Sequence, residues 1–177
     1  GYTVDAVAAR LRGIGCTDFL VEIGGELVGA GIQPDGQPWW VDVEPPPGVA
    51  LAPLRIALHG IAVATSGDYR RVGAHGSHSI NPRTGRPIAH GTASVTVVHA
   101  DCCHADAWAS ALTVLEPGAA MAPAEREGLA VQPVVRGSGG WLSSGLKARV
   151  EELALRHTWR CGRTRAVVSG AAGAAVG

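Results

Sequence analysis

Charge of either sign is nowhere in excess: fifteen basic residues stand against fifteen acidic ones in 177. No net field therefore draws the chain to nucleic acid or to an anionic membrane. Long apolar runs are missing too. Nothing approaches the roughly twenty consecutive apolar residues of a membrane span, and the final stretch from Ala166 to Gly177 is shorter and rich in Gly and Ala. Aromatics are scarce, and Trp supplies five of them against two Tyr and one Phe, so the core must rest on Val, Leu, Ile and Ala. The cysteines Cys16, Cys102, Cys103 and Cys161 form no CxxC, and adjacent cysteines bridge each other only with strain. A disulfide framework is not expected, and the redox compartment stays open. There is no internal repeat.

What is present reads as one globular domain. At 46% apolar and 17% charged, the length suffices for a proper core. Twenty-five Gly and eleven Pro imply many turns, and the Ala, Gly and Arg content suggests a GC-rich bacterial genome. Val4, Val7, Ala8, Leu11 and Ile14 recur at helical spacing and predict a helix over 3–12. Phe19–Ile23 reads as a buried strand, interrupted at Gly24-Gly25 by a bulge or a close approach, and resumed over Glu26–Ile32. Pro34-Asp35-Gly36 is a turn. Trp39–Glu44 is a strand, and Leu51–Leu58 and Gly60–Thr65 read as a hairpin pair. Thr92–His99 alternates and is Val- and Thr-rich, another strand. Helices are expected over Ala105–Leu115 and Gly118–Glu127, the second limited by Pro123. Leu129–Val135 and Trp141-Leu142 suggest a last hairpin, Gly145–His157 a closing helix, and the tail after Arg160 a loose end. The sum is an α+β (mixed α/β) domain with a largely antiparallel sheet and flanking helices. Because the chain begins at Gly1, in what reads as the start of a helix, a piece of a longer protein is expected.

Chemistry concentrates in two places. Asp106 and Ser110 lie four apart on a predicted helix and so share a face. A carboxylate and a hydroxyl suit Mg²⁺, which takes its other ligands from water and phosphate; alternatively Asp106 complements the helix dipole and Ser110 is merely small. His78 is a candidate proton-transfer group among five histidines between His75 and His104, any of which can equally be a surface or core residue. Thr84 and Gly85 can turn a hydroxyl and backbone N–H groups toward a phosphate, although Pro-Arg-Thr-Gly is also an ordinary turn. Thr65-Ser66-Gly67-Asp68 ends an apolar strand in polar residues that can hold a ligand. Cys102-Cys103-His104 with His99 invites zinc, but the spacing matches no structural zinc pattern.

The order of these segments resembles the ApbE family of FAD:protein FMN transferases. Gly1-Tyr2-Thr3-Val4-Asp5 is similar to its GYxxD helix start, and Val21-Glu22-Ile23-Gly24-Gly25-Glu26 to its NIGG(D/E) strand. Pro34 to Trp39 resembles DG-x-PW, Ala64 to Arg70 resembles ATSGDYxR, and His78 to Pro87 resembles HIIDPRTGxP. Asp106 to Leu112 resembles the metal helix DAxxTAL, and Leu142 to Leu146 the closing turn. Ser110 stands for the usual Thr, Asn81 for Asp, Ala109 for a further Asp and Glu22 for Asn. The resemblance implies a T-fold-like domain, N-terminally truncated, over 1–154, with 155–177 unassigned. It implies Mg²⁺ and FAD as the small molecules, with transfer of FMN to a Thr or Ser hydroxyl of an acceptor flavoprotein and release of AMP. It assigns Asp106 and Ser110 to the metal and His78 to the base. Ile80 would lie against the flavin nucleotide, Thr84 and Gly85 would shape the same nucleotide-binding turn, and Gly24, Gly25, Ser66 and Gly67 would shape or line the cleft. It further implies a periplasmic or membrane-anchored lipoprotein. Two other readings stay beside it: an inactive fragment of such an enzyme, or an FAD-hydrolysing or flavin-binding relative.

Overall fold

Strand and helix periods settle into three layers. The computed structural model describes residues 1–69, 72–73, 76–149 and 166–169. In chain order they form α1 (Tyr2–Gly13), β1 (Phe19–Ile23), β2 (Glu26–Ala30), β3 (Trp39–Val43), β4 (Leu54–Leu58), β5 (Ile61–Gly67), β6 (Val72–Gly73), β7 (Gly76–Ser77), β8 (Ile80–Asn81), β9 (Arg86–Pro87) and β10 (Thr92–His99). Then come α2 (Cys102–Thr113), α3 (Pro117–Arg126), β11 (Ala130–Val135), β12 (Gly139–Gly140), a short helix over 144–149 and β13 (Ala166–Ser169). The main sheet is antiparallel, in the order β1-β2-β5-β10-β11-β12; a smaller one runs β13-β4-β3, and β6–β7 and β8–β9 are two-stranded ribbons. The expected α+β domain with a largely antiparallel sheet is what the chain forms.

Because side chains alternate across a strand, the main sheet carries two cores. Ala64, Val95 and Val97 meet Ala105, Ala109 and Leu112 of α2 and Ala120 and Ala124 of α3, while Val4 and Ala8 of α1 close over Phe19, Val21 and Val28. On the opposite face Ile61, Val63 and Val98 pack on Leu54, Ile56 and Leu58 of β4. The Trp39 indole N–H ties β3 to the main sheet by donating to the Ala30 carbonyl at 2.8 Å.

Three expectations change. β4 and β5 are not a hairpin: β4 pairs with β3 and β13, whereas β5 pairs with β2 and β10. The chain turns a corner at His59-Gly60, where Gly60 has φ +72°, and both strands are buried because they belong to facing sheets. Helix α3 forms close to where it was expected, running through Pro123 to Arg126; the missing N–H weakens a short helix, but Ala120 and Ala124 hold it on Leu129 and Val131. The last hairpin uses Gly139-Gly140, paired with Val134 and Val135, rather than Trp141-Leu142. Ala166–Ser169 is a parallel strand on β4, not loose; the rest of the expected tail, and the closing helix beyond residue 149, lie outside the described residues.

One buried hydroxyl fastens the last described turn. Ser143 is fully buried, and its Oγ donates to the Leu129 carbonyl at 2.6 Å and accepts the Val131 N–H at 2.9 Å. These are edge groups of β11 that β12 is too short to reach. Ser143→Ala leaves both without partners and should cost about 2–4 kcal/mol, read as a lowered urea midpoint with unchanged m. Ser144→Ala, one residue on and exposed, should move stability by less than about 0.5 kcal/mol.

Candidate functional site

Gly24-Gly25 is neither a bulge nor a mid-strand gap. Ile23 pairs with Glu26, and both glycines have positive φ, 69° and 94°, the conformation of a tight two-residue hairpin turn. The turn lies at the end of the main sheet where β5 runs out in Thr65, Ser66 and Gly67. Between this end and β3 is a cavity of about 130 Å³, lined by Gly24, Gly25, Leu27, Val63, Thr65 and Gly67 among others. Thr65 and Thr96 hydroxyls bond each other at 2.9 Å in the same layer. A Cβ on Gly67 would lie 2.7 Å from the Tyr69 ring, so glycine lets that ring close over the strand. Ser66 is half-buried on β5. Asp68 clasps Arg136 with two bonds of 2.6 Å. Arg70 is outside the described residues.

On the helical side of the same turn two carboxylates converge. The Gly1 α-ammonium donates to Asp106 Oδ2 at 3.0 Å and also to Glu26 Oε2. Partial burial alone would lower the pKa of this ammonium, but the hydrogen bonds to Glu26 and Asp106 more than reverse that, to about 10. The carboxylates of Glu26 and Asp106 thus meet at one point beside Gly1. Asp106 is partly exposed and Ser110, one turn on, is exposed. Glu26 escaped the sequence reading: it belongs to a strand eighty residues before α2, and only folding brings it to Asp106. The one available signal was its place at the end of the Gly-Gly-Glu turn.

Asp5 explains how the start of α2 is held. Its Oδ1 accepts the Cys102 N–H at 3.0 Å and its Oδ2 the Cys103 N–H at 2.8 Å, whereas the helix's own N-cap, Asp101, makes no side-chain cap bond. A first-turn acid of α1 in sequence is therefore the cap of α2 in space. Gly1 is equally tight, since a Cβ there would meet the Cys102 carbonyl at 2.5 Å. Asp5→Ala should cost about 1–2 kcal/mol and lower the melting temperature by roughly 3–6 °C; hydrogen exchange should rise first at Cys102 to His104.

The His78 to Pro87 segment forms its own unit. His78 and Ile80 are exposed; Ser77 Oγ accepts the Ser79 N–H at 3.1 Å and the Ser79 carbonyl accepts the Ile88 N–H at 2.9 Å, bracketing His78. Asn81 Oδ1 accepts the Arg83 N–H at 2.9 Å, the work of an Asx turn. The N–H groups of Thr84 and Gly85 both donate to the Asn81 carbonyl, at 3.2 and 2.8 Å, so they close the turn. Thr84 faces a second cavity of about 640 Å³, shared with Asn81, Arg86, His90 and Glu116. Both His90 ring nitrogens are shielded from solvent and have no hydrogen-bond partner among the described residues. Nothing in the sequence separated His90 from its neighbours. The structure brings Gly24, Gly25 and Gly67 to one cavity and Asp106 to Glu26, and places Thr84 at another cavity.

Among the described residues, cysteines contribute no metal cluster to this site. Cys102 is fully buried beneath α1, and burial, with the nearby Asp5 carboxylate, pushes its thiol up to about 12.

The model of the ApbE family matches residues 1–132. The FAD:protein FMN transferase of Escherichia coli K12 is 36% identical over 156 residues, which cover 84% of this chain and 44% of that protein. The one from Vibrio cholerae is 39% identical over 146 residues, covering 80% and 44%. Among solved structures, the apo flavinyl transferase ApbE of Pseudomonas stutzeri superposes with a TM-score of 0.75 at 40% identity, covering 83% of this chain and 50% of that one. The flavin transferase ApbE of Vibrio cholerae gives 0.74 at 38%, covering 83% and 49%. The chain spans somewhat under half the length of the curated relatives it matches, and it belongs to the ApbE family.

Proposed function

We propose that the protein transfers FMN from FAD to a Thr or Ser hydroxyl of an acceptor protein, releasing AMP, with Mg²⁺ as the required ion. The observation that carries this is the convergence of the Asp106 and Glu26 carboxylates on one point beside Gly1, with the Ser110 hydroxyl one helical turn beyond. That is a set of hard oxygen donors, which fits Mg²⁺ and suits no soft metal. Asp106 and Ser110 would hold the ion, with Glu26 adding negative charge from β2. When bound, Mg²⁺ neutralises diphosphate charge and favours departure of a phosphate leaving group.

The chain's own residues do the rest. Exposed on its bracketed turn, His78 is open to an acceptor hydroxyl arriving from solvent, and its imidazole takes the hydroxyl proton. The freed oxygen bonds to the phosphorus of the FMN half, the P–O bond to the AMP half breaks, and AMP leaves with the electron pair. Gly24, Gly25, Ser66 and Gly67 offer side-chain-free or small walls where the nucleotide approaches backbone. Ile80 supplies an apolar surface for it, and Thr84 its hydroxyl proton. Export and attachment to a membrane, as the resemblance implies, belong to the same reading.

The test is AMP release from FAD with and without Mg²⁺, with a Thr-containing acceptor, followed by in-gel flavin fluorescence. Mg²⁺-dependent AMP with a fluorescent acceptor band is expected. AMP without labelled acceptor would favour FAD hydrolysis instead. No AMP from folded protein would favour the second reading, an inactive piece, for which the shorter span relative to its matches is the specific support.

A further inference from the structure

We infer that His99, Asp101 and His104 form a surface site for one late first-row divalent ion, Zn²⁺ above all, separate from the oxygen site around Asp106. Ligand atoms from the three residues lie within 4.8 Å of one another. Asp101 Oδ2 stands 3.3 Å from His104 Nδ1 and 3.6 Å from His99 Nδ1. In a tetrahedral zinc site with bonds of about 2.0–2.1 Å, neighbouring ligand atoms are roughly 3.3–3.5 Å apart. Two edges of such a tetrahedron are therefore nearly in place, and a small rotation of the exposed His104 ring closes the third.

Donor chemistry selects the metal. Two imidazoles and one carboxylate suit zinc, cobalt, nickel or copper, whereas Mg²⁺ asks for an all-oxygen shell. The sequence set His99 and His104 beside Cys102 and Cys103, a spacing that matches no structural zinc pattern, and did not single out Asp101. Folding turns Cys102 into the core, and Asp101 takes the place of a thiolate. Two features oppose the ion and set the need for Asp101. The positive end of the α2 dipole disfavours a cation, which the Asp101 carboxylate offsets. The Asp101 N–H donates to His99 Nδ1 at 3.0 Å, so that nitrogen keeps an unprotonated lone pair for which the metal competes. With three protein ligands, a coordination position is left to water.

The site is distinct from the Asp106 pair. His104 and Asp106 are two residues apart on α2, so they project to different faces, and Asp106 turns to Gly1 and Glu26. A bound ion would clamp the end of β10 to the first turn of the helix that carries Asp106 and Ser110.

The experiment is zinc titration against a chromophoric chelator in excess Mg²⁺, which keeps the oxygen site filled, with melting temperature as a second readout. Wild-type protein should take up one equivalent of Zn²⁺ and melt higher with it. His99→Asn and His104→Gln should each lose that uptake and the rise, while keeping the metal-free melting temperature; both side chains are well enough exposed for the fold to tolerate them. Asp106→Ala and Cys103→Ser should keep both. Uptake that persists in His99→Asn/His104→Gln, uptake lost in Asp106→Ala or Cys103→Ser, or no uptake by wild type each overturns the site.

Discussion

Replacing Asp106 by Ala is expected to abolish Mg²⁺-dependent AMP release from FAD while leaving the fold intact. The side chain is 42% exposed, so no cavity forms and no buried partner is stranded. What is lost is a formal charge at the point where the Glu26 and Asp106 carboxylates meet. Lewis-acid stabilisation of a phosphoryl centre is worth several kcal/mol, and each 1.36 kcal/mol is tenfold, so the fall should be about a thousandfold or more. Asp106→Asn keeps the shape and one acceptor oxygen but drops the charge; it should be nearly as impaired, which separates electrostatics from packing. Glu26→Gln should show a smaller loss and a higher Mg²⁺ requirement. Unchanged turnover in Asp106→Ala, measured across a Mg²⁺ titration on protein with a normal melting curve, removes Asp106 from the metal role.

The parts of this molecule that follow short-range rules were legible in the chain. Helix α1, the strands at Phe19, Trp39 and Thr92, and the Pro34-Asp35-Gly36 turn come from local period and turn chemistry, and the Gly36 N–H does close that turn on the Gln33 carbonyl at 2.9 Å. Asp106 and Ser110 were legible as a pair for the same reason, since i and i+4 on a helix need no tertiary information. Partnerships across the fold were not. Leu54–Leu58 and Ile61–Gly67 are consecutive apolar strands joined by a Gly turn, which in sequence is a hairpin. Only the second sheet, absent from any local pattern, separates them. Thr92–His99 alternates like a strand with one wet face, yet Ser94 and Thr96 are as buried as Val95 and Val97, because the small sheet covers the polar face and Thr65 satisfies Thr96. Asp5 capping α2 and Glu26 meeting Asp106 are the same kind of miss, contacts spanning eighty residues or more. The ordered set of motifs carried what local physics could not, because a family pattern records the tertiary arrangement without spelling out its contacts.

His78→Ala should separate chemistry from binding more sharply than any other single change. Its imidazole is on the surface of a turn held at Ser79, whose N–H donates to the Ser77 Oγ and whose carbonyl accepts the Ile88 N–H, so truncation leaves the turn and the domain standing. A general base contributes about 10²–10⁴-fold, and its removal should lower flavin transfer to the acceptor by that factor. Affinity for FAD should stay within about twofold of wild type, since no group assigned to the nucleotide is touched. Flavin fluorescence quenching gives the affinity and in-gel fluorescence of the acceptor gives transfer, so the two readouts are independent. A parallel loss of both would make His78 a nucleotide-binding residue. If transfer persists with affinity unchanged, the proton goes to another group. His90, whose ring nitrogens are shielded and unpartnered beside Thr84, is the nearest alternative in chemistry, and His90→Ala is then the variant that must lose transfer.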